Sequence, residues 1–438
     1  MRTQNTEYRI QSAPPRRTAG GADLRNTVGS RIKSRGTGHE QRVTNTIAAV
    51  TTGKGTGAIA VIELFGRDAE AVLKKIFCRT GGKEPQFQIG KIFVGSIKNG
   101  KKIIDHVTIG CEGRNHFAIN CHGNPLIVAD IMALLRKKGV KPVSDKKLLY
   151  EIFSQDCANT IEVEAKLAQL NAKTLSGTKI ILNQIDSGLS KIAKKWLEKI
   201  SKQSPAKIRN EAEQVLKNTK IAKPIICGLK IALAGPPNTG KSTLLNFLVG
   251  RQKSIVADIA GTTRDFVTAE CRIGPLFAQV IDTAGLAGRW MADGRGQRAV
   301  EKIAQKRSME VLGDADLVLL IIDNSRKNIK PDRNFLKAIF GKSTIVVLNK
   351  SDKPARFRIQ SLPPFLSDIV KISAKTGAGV DKLLAEIRRK TKVDDFDLNS
   401  PVCITARQEN FVKKLIAAKS KPQSARLITE LLNGRLCV

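Results

Sequence analysis

The chain has 438 residues, of which 75 are Lys or Arg and 39 are Asp or Glu, for a formal net charge of +36. That length suits about two to four domains, and the charge favours a polyanionic partner, most simply RNA, with a solvated Lys-rich surface as the plainer alternative. Aromatic content of 4% argues against base-stacking RNA modules, and no apolar run approaches the length of a membrane span.

No signal-peptide pattern opens the chain, and its eight cysteines form no C-x-x-C pair. A cytoplasmic protein with reduced thiols is expected, with no membrane partner. Residues 1–44 are rich in Arg, Gly, Ser and Thr, lack apolar periodicity, and read as a disordered basic tail. They are either an RNA-binding arm or sequence upstream of the true start.

Residues 45–137 read as an α+β domain. The expected elements are a strand over Ile59 to Phe65, a helix over Asp68 to Phe77, and a strand over Lys91 to Ile97. A hairpin over 106–121 and a helix from Leu126 to Lys137 complete the domain. Cys111, His116, Cys121 and His122 cluster here, but their spacing matches no common zinc pattern. Residues 138–228 show helical periodicity over Ile161 to Leu175, Ile180 to Lys202 and Ile208 to Asn218, with Pro224 before the next strand.

Residues 229–393 carry five motifs in order. Gly235-Pro236-Pro237-Asn238-Thr239-Gly240-Lys241-Ser242 is a P-loop, fed by the strand Lys230 to Ala234. Gly261-Thr262-Thr263-Arg264-Asp265, Asp282-Thr283-Ala284-Gly285, Asn349-Lys350-Ser351-Asp352 and Ser373-Ala374-Lys375-Thr376-Gly377 follow it. The loop glycines let backbone N–H groups face phosphate oxygens, and the next helix adds its positive end. Lys241 reaches the β and γ phosphates, and the Ser242 hydroxyl suits Mg²⁺. Asp282 holds the metal through water, and Gly285 offers its N–H to the γ-phosphate. The Asp352 carboxylate accepts from guanine N1–H and N2–H, a donor pair adenine lacks, so the nucleotide is GTP. The expected nucleotide site comprises Asn238 to Thr243, Ala257, Thr262, Thr263, Asp282, Gly285, Asn349, Lys350, Asp352, Ser373, Ala374 and Lys375.

Hydrolysis needs a positioned water, and Leu286 stands where many small GTPases carry Gln. Asn238 is placed for its side-chain oxygen to bind a monovalent cation, and the loop from Ala257 to Thr263 for carbonyls to the same ion. Such a cation would neutralise charge in the transition state. Residues 394–438 return to helical patterning, so the GTPase domain is expected as an insertion in a helical domain.

Asp258-Ile259-Ala260-Gly261-Thr262-Thr263-Arg264-Asp265, Asp282-Thr283-Ala284-Gly285-Leu286 and Val300-Glu301-Lys302-Ile303 together resemble the TrmE/MnmE tRNA modification GTPases. Thr46-Ile47-Ala48-Ala49, Gly55-Thr56-Gly57, Phe65-Gly66 and His122-Gly123 extend the resemblance to the N-terminal domain. The resemblance implies an α/β fold with a P-loop GTPase domain inserted into a helical domain, preceded by an α+β domain that dimerises. It implies K⁺ at Asn238, Ala257, Ile259 and Thr262, and Mg²⁺ at Ser242 and Thr263. Lys241 and Glu301 become the catalytic residues, Glu301 acting through water, though an exposed helix glutamate is the plainer reading of that position. It also implies tRNA and a flavin-dependent partner, with Cys437 near the end a candidate for modification chemistry.

The folate positions differ. Glu63 stands where the family has Arg, Ala118 where it has Glu, and the Lys-bearing segment has no counterpart between Lys141 and Glu162. Bound formyl-tetrahydrofolate is therefore not expected. Two functions stay open: a tRNA wobble-uridine modification GTPase, and an RNA- or ribosome-associated GTPase switch without modification chemistry.

Overall fold

In the computed structural model the described residues run from 46 to 434, except 54, 56, 83, 202–204, 251–266, 283–308 and 328–332. The tail over 1–44 and Cys437 lie outside them.

The first part is one seven-stranded sheet. Its strands are β1 (Ile47–Val50), β2 (Ile59–Phe65), β3 (Phe77–Arg79), β4 (Ile92–Asn99), β5 (Lys102–Gly113), β6 (His116–His122) and β7 (Lys141–Pro142). The order is β3-β4-β5-β6-β2-β1-β7, antiparallel except for β1 against β7. Alternation along β2 and β6 sends Ile62, Leu64, Phe117 and Ile119 inward. Helices α1 (Ala69–Ile76) and α2 (Pro125–Lys137) cover that face with Leu73, Ile76, Ile131 and Leu135. The expected strand over Ile59 to Phe65 matches β2, and the 106–121 hairpin is the core of β5 and β6. Sequence periodicity missed the short strands β1, β3 and β7, of which β3 and β7 are the edges.

Helices α3 (Asp145–Asp156), α4 (Thr160–Gln169), α5 (Leu175–Asp186), α6 (Leu189–Lys199) and α7 (Pro205–Cys227) follow. Of the expected helices, the one over Ile161 to Leu175 stops early and the one over Ile180 to Lys202 is broken in two. The first stops at Gln169, with Leu170 as its C-cap, and a new helix starts beyond it: the Thr174 hydroxyl accepts from Gly177 N–H at 2.8 Å and so caps α5. The second breaks at Ser187-Gly188, where the Gln184 side chain accepts from Leu189 N–H at 2.9 Å. Pro224 sits inside the last turn of α7 rather than beyond it.

A second sheet follows after the single residue Gly228. It contains β8 (Leu229–Ala234), β9 (Val267–Ile273), β10 (Leu276–Asp282), β11 (Leu317–Asp323), β12 (Thr344–Asn349) and β13 (Ile369–Lys371). The order is β13-β12-β11-β8-β10-β9, parallel except for β9 against β10. β11 and β12 are buried along their whole length, as central parallel strands covered on both faces must be. Helices α8 (Lys241–Gly250), α9 (Arg333–Ile339) and α10 (Val380–Thr391) belong to this unit.

Helices α11 (Ala406–Ala417) and α12 (Lys421–Asn433) then rejoin α4 to α7. Trp196, Ile208, Val215, Val412, Leu415 and Ile428 share one core. Buried polar side chains stitch the two halves together. The Gln184 carbonyl oxygen also accepts from Val402 N–H at 3.0 Å, and its amide donates to Ser400 O at 3.2 Å. Cys403 N–H donates to the Thr219 hydroxyl at 2.9 Å. Glu164, 3% exposed, accepts from Arg407 Nε and Nη2, both at 2.9 Å, and from Gln408 Nε2 at 2.6 Å. The second sheet is thus an insertion within a helical bundle. Among the described residues no helix is long and apolar enough to cross a membrane.

Candidate nucleotide site

Three apolar strands, β10, β11 and β12, end on Asp282, Asp323 and Asn349, with Asp323 and Asn349 directly paired. Ligands of open α/β sheets sit at this carboxyl edge. The loop between β8 and α8 crosses it. Gly235 holds φ +146° with the Ile321 carbonyl packed where a Cβ would stand. Gly240 holds φ +92° against the Asn349 amide, so both positions require glycine. The loop therefore passes closer to the strand ends than any side chain would allow.

Lys241 is the first residue of α8 and is 3% exposed. Its ammonium donates to the carbonyls of Gly235 and Pro236, each at 2.8 Å, which holds it inside the curve of the loop. Burial lowers its pKa, and the charge of Asp282 works the other way. The Ser242 hydroxyl donates to Asp282 Oδ2 at 2.8 Å, so α8 and the end of β10 meet there. A hydroxyl beside a carboxylate is an oxygen donor set of the kind Mg²⁺ takes.

The other rim is equally tied down. The Asn349 amide donates to Thr239 O at 2.7 Å, while its carbonyl oxygen accepts from Ala374 N–H at 2.9 Å. One side chain thus fixes the P-loop and the Ser373-Ala374-Lys375 turn together. The Lys350 ammonium donates to Asn238 O at 2.7 Å and to Asp323 Oδ2 at 2.8 Å. The Thr239 hydroxyl donates to Pro236 O at 2.9 Å. The hydrogen bond from the Ser373 side chain is the largest influence holding the Asp352 carboxyl below its ordinary value. Thr243 and Lys375 are exposed at the rim. Ala257, Ile259, Thr262, Thr263, Gly285 and Glu301 lie outside the described residues.

Asp323 is a member of this site that the motifs did not reveal. It is 2% exposed and also accepts from Ser325 N–H at 2.9 Å and the Ser325 hydroxyl at 2.6 Å. Burial acts to raise its pKa, but the hydrogen bonds from Lys350 and Ser325 outweigh that and hold it below the ordinary 3.8. The available signal was Leu317-Val318-Leu319-Leu320-Ile321-Ile322-Asp323, a third apolar strand ending in a carboxylate.

In the N-terminal sheet the four Cys and His residues do not converge. His116 Nε2 lies 2.7 Å from Glu63 Oε2, and His122 Nδ1 lies 2.7 Å from Asp105 Oδ1. The Cys121 thiol donates to Ala60 O at 3.5 Å. No metal-binding group of His, Cys, Asp and Glu exists among the described residues. Glu63 and Ala118 stand directly opposite each other across β2 and β6.

A P-loop, a metal-side serine and aspartate, and a guanine-side Asn-Lys-x-Asp at one sheet edge define a P-loop GTPase. Residues 230–350 match the family model described as 50S ribosome-binding GTPase, and residues 46–145 match the one described as GTP-binding protein TrmE N-terminus. The tRNA modification GTPase MnmE of Endomicrobium trichonymphae is 31% identical over 415 residues, covering 86% of this chain and 88% of that protein. That of Lactiplantibacillus plantarum is 30% identical over 382 residues, covering 79% and 81%. That of Enterococcus faecalis is 29% identical, covering 78% and 80%. Among solved structures, Era of Aquifex aeolicus bound to GDP and AlF4 is 33% identical over 37% of this chain and 56% of its own, at a TM-score of 0.29. The chain belongs to the MnmE family of tRNA modification GTPases. It is a GTP-hydrolysing enzyme, with GTP and Mg²⁺ as its nucleotide and metal.

Proposed function

We propose that this chain binds GTP with Mg²⁺ at the edge of the second sheet, hydrolyses it to GDP and phosphate, and couples that cycle to tRNA. The tie of Asn349 to both Thr239 and Ala374 supports the reading most directly, because it joins the base-reading turn to the phosphate loop. Mg²⁺ supplies charge neutralisation at the phosphates when bound. Ser242 and Asp282, with Thr263, would hold it. Lys241 would move from the loop carbonyls to the β and γ phosphates. The Asp352 carboxylate would accept from guanine N1–H and N2–H, with Ser373 keeping it ionised and oriented.

Asn238 and the carbonyls of Ala257, Ile259 and Thr262 would hold K⁺, and Glu301 would orient the attacking water through another water. The domain limits adopted are 45–137, 138–228, 229–393 and 394–438. A homodimer through the N-terminal sheet, a flavin-dependent partner in wobble-uridine modification and a cytoplasmic location complete the reading. Turnover of GTP by the purified chain in K⁺ and in Na⁺, with and without tRNA, tests it. Equal rates in all four conditions would reject both the cation and the coupling.

The Glu63–His116 pair favours a second reading for the N-terminal domain. A carboxylate already engaged at the strand that should meet a folate supports an RNA-linked GTPase switch without formyl-tetrahydrofolate chemistry.

A further inference from the structure

The positive charge of this chain is not spread evenly. Residues 189–209 carry seven Lys and Arg against one carboxylate, Glu198, and residues 410–429 carry five against none. The topology brings these two segments to one end of the helical bundle. α6 ends there and α7 begins; α11 ends there and α12 begins. The Lys421 ammonium donates to Ser201 O at 3.0 Å and so joins the two turns. The second turn is fixed from within. Gln423 N–H donates to the Ser420 hydroxyl at 3.3 Å, and Lys419 N–H donates to the Gln423 side chain at 3.1 Å. This reciprocal cap holds Lys419 at the tip of a defined turn rather than on a loose loop.

Some of the cations are accounted for within the fold. Lys194 meets Glu162, Lys413 meets Glu409 and Arg426 meets Glu430. Lys195, Lys199, Lys207 and Lys419 are exposed, and none has an ion pair among the described residues. Crowding like charges at one end costs the folded state through self-repulsion, so the arrangement is explained by an anionic partner.

We propose that this end of the bundle, carried by α6, the start of α7 and the α11–α12 turn, binds the phosphate backbone of RNA. The inference rests on the RNA partner proposed above and gives it a place. Composition decides between partner classes. Among the described residues the exposed large hydrophobic side chains lie elsewhere, on the N-terminal domain, near α5 and on the second sheet's unit. Stable attachment to a membrane would need an apolar face or lipid anchor beside the basic patch, and a protein interface would need aromatic or aliphatic anchors. Phosphates need only ammonium groups. Without an exposed aromatic at this end, the contact positions RNA and does not read bases.

The test uses the full-length chain, an unmodified tRNA transcript, and the triple variant Lys199→Glu, Lys207→Glu, Lys419→Glu. Affinity is measured from 50 to 200 mM KCl. Each phosphate contact contributes about 0.7–0.9 to the slope of log K against log salt, so the triple variant should lower that slope by about 2–3. Its tRNA affinity should fall about tenfold or more at 100 mM, with GTP affinity unchanged. A comparator, Lys91→Glu, Lys101→Glu, Lys102→Glu, makes the same change in net charge on the N-terminal sheet and should lose much less.

Equal losses in both triples would overturn the proposal in favour of a diffuse field. An unchanged slope in the first triple, with wild-type binding intact, would overturn it while leaving the RNA partner standing. Failure of the wild-type chain to bind tRNA at 50 mM KCl would remove that partner and the proposal together. Poly-L-glutamate competing as well as tRNA would assign the surface to acidic protein instead.

Discussion

Lys350 donates to the backbone carbonyl of Asn238 at 2.7 Å, and both residues hold left-handed backbone, at φ +63° and +61°. Two non-glycine residues in that region are each strained, and one ammonium ties them together. Asp323 anchors the same ammonium from below. The loop expected to read the base and the loop expected to hold the phosphates are therefore one mechanical unit.

Asp323→Ala should loosen that unit. The Lys350 ammonium would lose its charged partner, at a cost of about 1.5–3 kcal/mol for such a hydrogen bond. GTP affinity should fall about tenfold or more, read by fluorescence titration with a labelled GTP analogue. An affinity equal to wild type would show that the Asn238 carbonyl alone suffices.

The same carboxylate makes a pH prediction. Its folded pKa is depressed below 3.8. The stability it contributes is fully present above the unfolded value and is lost as pH falls through the folded one. Melting temperature followed from pH 7 to pH 3 should fall less steeply below pH 4 in Asp323→Asn than in the wild type.

Asp352→Asn replaces two acceptors with an amide that mismatches guanine. Preference should shift from GTP towards xanthine nucleotides in competition binding. ATP competing as well as GTP against the native chain would sink the base assignment.

Asn238→Ala should abolish any advantage of K⁺ over Na⁺ in GTP turnover, with a loss of about 10²-fold, comparable to removing one preorganised transition-state donor. The Lys350 bond uses the backbone of Asn238, so nucleotide affinity should survive. A turnover loss independent of the salt would point to loop damage rather than to a lost cation.

5-Formyl-tetrahydrofolate should give no measurable heat of binding by calorimetry. Glu63 repels an anionic folate and is already engaged by His116, and Ala118 opposite it offers no hydrogen bond. Micromolar binding would overturn this, and would favour full modification chemistry over the switch reading.

The nucleotide edge was legible because its chemistry is local. A P-loop, an Asp-x-x-Gly and an Asn-Lys-x-Asp are short runs beside short apolar strands, and strands such as β2 and β8 follow from alternation or continuous apolarity. Asp323 was not legible, since a single carboxylate after an apolar strand has no motif around it. The breaks in the expected helices were hidden for a related reason. Thr174 and Gln184 look like ordinary polar residues on a helical face until their partners are known. Those partners include Ile225 and Val402, far along the chain. Burial of Glu164 depends likewise on Arg407 and Gln408, residues on the far side of the inserted sheet.

That stitching sets a schedule for synthesis. α7 ends at Cys227 and α11 begins at Ala406, so about 180 residues separate the apolar faces that must meet. At about 5–20 residues per second, Trp196, Ile208 and Val215 wait roughly ten to thirty-five seconds for their cover. The inserted sheet can close in that interval, on a core it shares with Ile180, Ile181, Ile225 and Ile226, which precede it in the chain. The bundle cannot, and its unfinished half is the part of the nascent chain most exposed to aggregation or to chaperone capture.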